Sequence, residues 1–178
     1  MSGIITDNLG RSSGLVKAAA GGGKILQVQS FSTVALTSES VSTSFLDISS
    51  FLVTITPATT SSKILIAVSL GIVSSGDQAV TFAVERAISG GATTVLGGTA
   101  LDDRLSASFR FRSDGDNNHD GGITWNYVDS PSTVSEITYQ LQWAQQDTVY
   151  LNRSVGDADI AHYGARTISG MIAMEIGA

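Results

Sequence analysis

The residues with the clearest capacity for chemistry lie in one short run. Asp116, Asn118 and Asp120 recur at every second position and Gly121 follows, which is the order of oxygen ligands and turn glycine in a calcium loop, with the apolar Ile123 also in place. Such a loop closes on a bidentate carboxylate at its twelfth position. Here that position is Tyr127, so Asp114 or Asp129 would have to substitute. The same run reads equally as an acidic, glycine-rich hairpin tip chosen for its turn chemistry.

Other constellations are weaker. His119 and His162 fall in expected loops with no partner spacing that signals a metal or a triad. Asp102 and Asp103 are adjacent, so on a strand they would point to opposite faces, and Asp157 and Asp159 belong to a polar loop. Gly10-Arg11-Ser12-Ser13-Gly14 spells a nucleophile elbow, but that elbow needs a strand before it and a helix after it, and only nine residues precede. Gly21-Gly22-Gly23-Lys24 lacks the leading glycine and the Ser or Thr of a phosphate loop and reads as a hinge. Asn152-Arg153-Ser154 is a glycosylation sequon, relevant only to a chain secreted by a eukaryote. Among the aromatics, Tyr139 and Trp143 share a face with Leu141 and belong to a core, which leaves Trp125 and Tyr150 as candidates for stacking on a sugar. No catalytic residue and no cofactor is expected.

Composition narrows the class. Only 15% of the 178 residues are charged, well below the roughly 25% of ordinary soluble domains, while Val, Ile and Thr abound. A formal net charge of -6 removes the basic footprint that nucleic-acid binding requires. Cysteine is absent, so disulfides and thiolate metal sites are excluded. The longest apolar run, residues 64–68, is far too short to span a bilayer as a helix, and the first residues lack the pattern of a signal peptide, so a chain made and folded in a cytosol without membrane insertion is expected.

The elements that would carry these residues follow from periodicity. Residues 1–23 have a turn signal at Asp7-Asn8-Leu9-Gly10, a short apolar run without a sustained helical face, and a glycine joint. They read as an arm with too little apolar surface to order itself, so that Ile4, Ile5, Asp7, Leu9, Arg11, Leu15 and Val16 are expected to anchor it on a neighbouring subunit or another protein. Residues 24–178 read as strands near 24–33, 41–46, 51–56, 63–73, 79–87, 93–96, 104–113, 123–128, 136–144, 148–152 and 166–176. Residues 64–68 are apolar on both sides and mark a central strand. The run from Ile123 to Ser154 reads as a three-stranded meander with Trp143 as its largest buried side chain. With no convincing helix between strands, the fold class is all-β: an antiparallel β-sandwich or jelly-roll-like domain with an extended N-terminal arm.

Three segments carry a resemblance: ITDNLGRSSGLVKAAAGGGKILQV, FLVTITPATTSSKILIAVSLG and YVDSPSTVSEITYQLQWAQQDTVYLNRS. They resemble small virion proteins of tailed bacteriophages, of the marine and cyanobacterial type, among them capsid-surface and tail-fibre-like components. The resemblance implies an N-terminal attachment segment on a β-rich domain, assembled as a homotrimer. It implies a surface-exposed virion protein, a capsid decoration or fibre component made in the host bacterial cytoplasm and bound through its arm to a capsid or tail protein. The alternative is a host-glycan-binding domain of a tail fibre. In the threefold assembly, apolar residues of 63–73 are expected to form the domain core. Some residues of 104–113 or 136–144 are expected to be buried only between copies.

Overall fold

A computed structural model describes residues 23–40, 42–76, 79–112, 121–157, 159–160 and 164–177. They form eleven strands: β1 (Lys24–Thr33), β2 (Thr37–Glu39), β3 (Ser42–Ile55), β4 (Lys63–Ser75), β5 (Ala79–Ile88), β6 (Thr93–Leu96), β7 (Phe109–Arg112), β8 (Gly121–Asp129), β9 (Ile137–Gln145), β10 (Val149–Leu151) and β11 (Ser169–Gly177). No helix occurs among the described residues.

All pairings are antiparallel and build two sheets. In the six-stranded sheet, β4 carries β8 along one edge and β11 followed by β10 along the other. β1 and β2 lie outside β11 and β10 in turn. In the five-stranded sheet, β3, β9 and β5 run in that order, and β6 and β7 share the far edge of β5. When segments that share an edge are counted as one, eight strands remain. The first pairs with the last, and chain-consecutive strands fall mostly in opposite sheets. That is the wrapping of a jelly roll, as the composition and periodicity led one to expect.

The core lies between the sheets. Ile64, Ile66, Val68 and Leu70 of β4 face Phe82 and Val84 of β5, Val53 and Ile55 of β3, and Ile137, Leu141 and Trp143 of β9, all nearly without solvent contact. β4 is the central strand expected from its two-sided apolarity, because both of its edges are paired and its outward residues Leu65 and Ala67 are themselves half-buried.

Three expectations are corrected. The run from Ile123 to Ser154 is not a meander: β8 lies in the six-stranded sheet, β9 in the other, and β10 returns to the first. Period-two alternation reports that one face of a strand is buried but not which sheet the strand joins. The strand expected over residues 104–113 shrinks to β7, and Leu105 is exposed. Ser108 replaces the missing ladder there. Its hydroxyl accepts from Val84 N at 2.8 Å and donates to the Leu96 carbonyl, while Gly98 N donates to Ala107 O at 2.8 Å. Finally, Ile137, Tyr139, Leu141 and Trp143 are buried within the chain itself, so of the two stretches expected to hold residues buried only between copies, 136–144 is withdrawn and 104–113, with Leu105 exposed, stays an expectation.

The strands expected at 41–46 and 51–56 merge into β3, which is broken by register shifts rather than by a loop. Ser50 turns there with φ of 61°, and Gln140 Nε2 reaches from β9 to the carbonyls of Ile48 at 2.9 Å and Phe51 at 3.3 Å. The glutamine side chain thus serves carbonyls that the interrupted ladder leaves over.

Trp143 is 1% exposed, and its indole N–H has no acceptor among the described residues. Trp143→Ala is therefore expected to destabilise the fold by about 3–5 kcal/mol through the cavity it leaves. Trp143→Phe should cost clearly less, because it retains much of the ring and removes the unpaired donor. Urea denaturation of both variants checks this, and equal losses would contradict it.

Candidate functional site

Two buried carboxylates are the first places to seek chemistry. Arg86 of β5 and Tyr139 of β9 are direct cross-strand neighbours in the five-stranded sheet. Both reach Asp129 at the end of β8 in the other sheet, Arg86 Nη1 donating to Oδ1 at 2.7 Å and the Tyr139 hydroxyl to Oδ2 at 2.8 Å. Asp129 is 4% exposed, so the ion pair is screened little by water. Burial, followed by the charge of Asp129 and the hydrogen bond given to it, pushes the Tyr139 phenol far above its usual range. The phenol therefore stays protonated and acts as a fixed donor rather than as a proton carrier.

Glu175 points inward from β11 and is fully buried. Burial alone would raise its pKa. Three donors outweigh that effect and hold it below the ordinary carboxylate value: Ser62 Oγ at 2.6 Å, Gln27 Nε2 at 2.6 Å and Ala58 N at 2.7 Å. Gln27 Nε2 also contacts Thr56 O at 2.6 Å, so one carboxylate ties β1, β11 and the crossover from β3 to β4.

A third node is uncharged. Asn152 follows β10 with φ of 65°, a conformation Asn tolerates better than most residues, and is fully buried. Its Nδ2 donates to Thr33 O at 3.1 Å and Ala35 O at 3.0 Å, and its Oδ1 accepts from Ser169 Oγ at 2.6 Å. Its own N–H donates to Ile72 O at 2.8 Å. Beside it, Gly71 N and Ile72 N donate to the Ser169 and Thr167 hydroxyls at 3.0 and 2.8 Å. A Cβ on Gly71 would lie 2.4 Å from Thr167 Oγ1, so only glycine admits this approach. Asn152 is thus the clamp where β10 hands over to β11 along β4. Its buried, bonded amide is not presented as a glycan acceptor.

The structure separates the candidates named from sequence. Trp125 faces inward opposite Val68 and is half-buried, whereas Tyr150 points to the other face of the same sheet. Trp125 belongs to an aromatic ladder. Phe82 stacks on Phe109 at 4.9 Å, Phe109 on Trp125 at 5.8 Å, and Trp125 on Tyr127 at 5.5 Å with the last two rings nearly parallel. Tyr150 lies beneath the Arg153 guanidinium, whose Cζ is 3.9 Å from the centroid of the tyrosine ring. Asp102 and Asp103 occupy an exposed turn, and Asp157 pairs with Arg166 and Arg153. Asp116, Asn118, Asp120, His119, His162 and the anchoring residues from Ile4 to Val16 lie outside the described residues. Among the described residues no three His, Asp or Glu side chains gather in a metal-binding cluster.

What sequence reasoning missed is the contrast between the two outward faces. On the five-stranded sheet that face carries Asp47, Glu85, Arg110 and Arg112, and an open recess of about 340 Å³ there is lined in part by Arg110, Asp103 and Thr81. Across β1, β11, β4 and β8 the corresponding face of the other sheet is uncharged over three full rows of neighbours.

No family model matches the chain, and comparison with curated proteins finds no match. Solved structures with some likeness include infectious bursal disease virus of the Gx strain, at 13% identity and a TM-score of 0.33 over 84% of this chain. The Gt strain of the same virus gives 9% identity and a TM-score of 0.39 over 85%. The VP2 subviral particle of that virus gives 11% and 0.36 over 85%. The chain spans 40% of the length of each of these chains.

The Glu175 node makes stability depend on pH with a definite sign. Its folded pKa is depressed, so its contribution is fully present above the unfolded value of 4.5 and is lost as pH falls through the lower folded value. Glu175→Gln should flatten the acid limb of a plot of unfolding free energy against pH. At pH 7 it should lower stability by about 2–4 kcal/mol, because it sets an amide donor among three donors. An unchanged acid limb would assign the effect to other carboxylates.

Proposed function

We propose that this chain is a non-enzymatic structural protein of a virion surface, of the tailed-bacteriophage type it resembles. In this reading it is a capsid decoration or fibre component, made in the host cytoplasm and held to a capsid or tail protein by residues 1–23 while residues 24–178 project outward. The observation that carries the reading is the use made of buried charge. Among the described residues both buried carboxylates, Asp129 and Glu175, are consumed by hydrogen bonds that join separate strands and crossovers, an arrangement that stiffens a domain instead of presenting a reactive group. A rigid jelly roll whose six-stranded sheet carries three uncharged rows on its outward face suits a part that is repeated and packed. Docking several linked copies at once would strengthen a short anchor without any new contact.

Deletion of residues 1–23 tests the reading. The truncated chain should fold, with far-ultraviolet circular dichroism showing strand, and should be absent from purified particles, whereas the full chain is incorporated. Full incorporation of the truncated chain would refute the anchor.

A glycan-binding role is favoured by one observation: Trp125 and Tyr127 stack in parallel at the open edge of the sandwich, and Tyr127 is 38% exposed. Trp125 and Tyr150 cannot share one sugar, since they occupy opposite faces of the sheet. If this role holds, the full chain should bind selected glycans on an array, with loss in Tyr127→Ala. Binding to none would leave the structural role alone.

A further inference from the structure

The recess on the outward face of the five-stranded sheet is made by short side chains next to a long one. Ala144, Thr81 and Arg110 are consecutive cross-strand neighbours on β9, β5 and β7, and Ala79 follows two residues away on β5. The alanines and the threonine give a low floor with the Arg110 side chain beside it. Thr43 and Gln146 add neutral polar groups, and the connection from β6 to β7 brings Asp103 and Leu105 to the rim. Arg112, which pairs with Ala79, lies outside the lining. A volume of about 340 Å³ is at the small end of ligand sites, which run from about 300 to 1,000 Å³, so the recess takes one ring-sized molecule.

The polar groups here are unlike those of the buried nodes. Asp129, Glu175 and Asn152 use their hydrogen bonds within the chain. The side chains of Thr43, Thr81, Asp103, Arg110 and Gln146 make no hydrogen bond or ion pair among the described residues. Asp102 and Arg104 pair with each other at 3.4 Å, which leaves Asp103 between them without a cation. Arg110 and Asp103 thus line one space with opposite charges that do not meet.

We propose that this recess binds an acidic sugar, a single uronic acid residue, with its carboxylate on Arg110 and its hydroxyls on Asp103, Thr81, Thr43 and Gln146. Each part of the lining selects a part of the ligand. The planar guanidinium matches a carboxylate through two parallel hydrogen bonds. An ionised Asp103 only accepts, so its partner must donate, as ring hydroxyls do. Threonine hydroxyls and a glutamine amide both donate and accept, which a polyol requires. Ala79, Ala144 and the exposed Leu105 offer apolar contact to the C–H face of the ring.

Other ligands use less of the lining. A phosphate dianion would set a second negative charge near Asp103 on a protein of net charge -6. An α-amino acid would satisfy Arg110 and Asp103 but leave the neutral side chains without a role. An extended peptide adds to an unpaired sheet edge, whereas β9 and β5 under the recess are paired along both edges. The site rests on neither the anchoring arm nor the edge formed by Trp125 and Tyr127.

Ligand-detected NMR titration of the full chain tests the proposal. The probes are methyl glucuronide and methyl galacturonide, with methyl glucoside, alanine and inorganic phosphate for comparison. At least one uronide should bind with a Kd of about 1 mM, the strength expected of about fourteen ligand atoms in an open site. Methyl glucoside, which lacks only the carboxylate, should bind at least about tenfold more weakly. Arg110→Ala and Asp103→Asn should each weaken uronide binding at least about fivefold with an unchanged circular dichroism spectrum, because both side chains are exposed. Lys63→Ala, which removes a positive charge from the other sheet, and Tyr127→Ala should leave it intact. No binding of either uronide up to about 50 mM would overturn the proposal. So would equal binding of the glucoside, tighter binding of phosphate or alanine, or uronide binding that survives both recess variants. Incorporation of the chain lacking residues 1–23 into particles bears on the virion reading and leaves this measurement untouched.

Discussion

A sandwich whose consecutive strands cross repeatedly between sheets must carry polar backbone past the ends of a dry core at every crossing, and closing those ends is the constraint on which the rest of this structure depends. An unpaired buried polar group costs about 1–3 kcal/mol, so each crossing needs a dedicated partner. Asp129, where β8 leaves for β9, is closed by Arg86 and Tyr139. Glu175 closes the passage from β3 to β4 by taking Ala58 N and Ser62 Oγ. At the opposite end of β9, Gln145 Nε2 donates to Ser40 O at 2.6 Å, where the chain passes from β2 to β3. Asn152 performs the same task with an amide, joining β10, β11 and the link from β1 to β2.

Three of these nodes share a design. Asp129, Glu175 and Asn152 are each a single side chain with several acceptor or donor positions, set among partners from strands distant in sequence, so its geometry is right only when the whole jelly roll is assembled. Removing one partner leaves the others buried and unmatched, which makes the fold cooperative and stiff. This also explains why the ionisable groups with displaced pKa values, Tyr139 and Glu175, sit beside the core and not in the open recess near Arg110.

The outward faces obey a different logic. The five-stranded sheet displays charge of both signs and is finished as a solvent-facing surface. The six-stranded sheet ends in β1, a ten-residue edge strand with no charge after Lys24, and shows three uncharged rows beside it before Lys63. Natural sheets usually blunt such edges with charge or proline, so a long unprotected one is at home where another surface covers it.

Much of the architecture was determined by the sequence alone. The alternation of Ile137, Tyr139, Leu141 and Trp143 fixed their common burial, two-sided apolarity marked β4 as central, and low charge with abundant β-branched residues set the all-β class. Local periodicity reaches that far because it reports the environment of each strand separately. It does not report which strands are neighbours, and only the tertiary structure decided that. β8 and β9 part to different sheets although they adjoin in the chain. Asp129, Arg86 and Tyr139 meet although nothing in their spacing says so. Trp125 and Tyr150, paired as aromatics in the sequence, end on opposite faces. Val28, Leu65, Val128 and Met174 look like scattered outward residues on four strands until the register sets them in one row. Each of these facts depends on pairing across long chain separations, where a shift of one residue would turn every side chain to the other face.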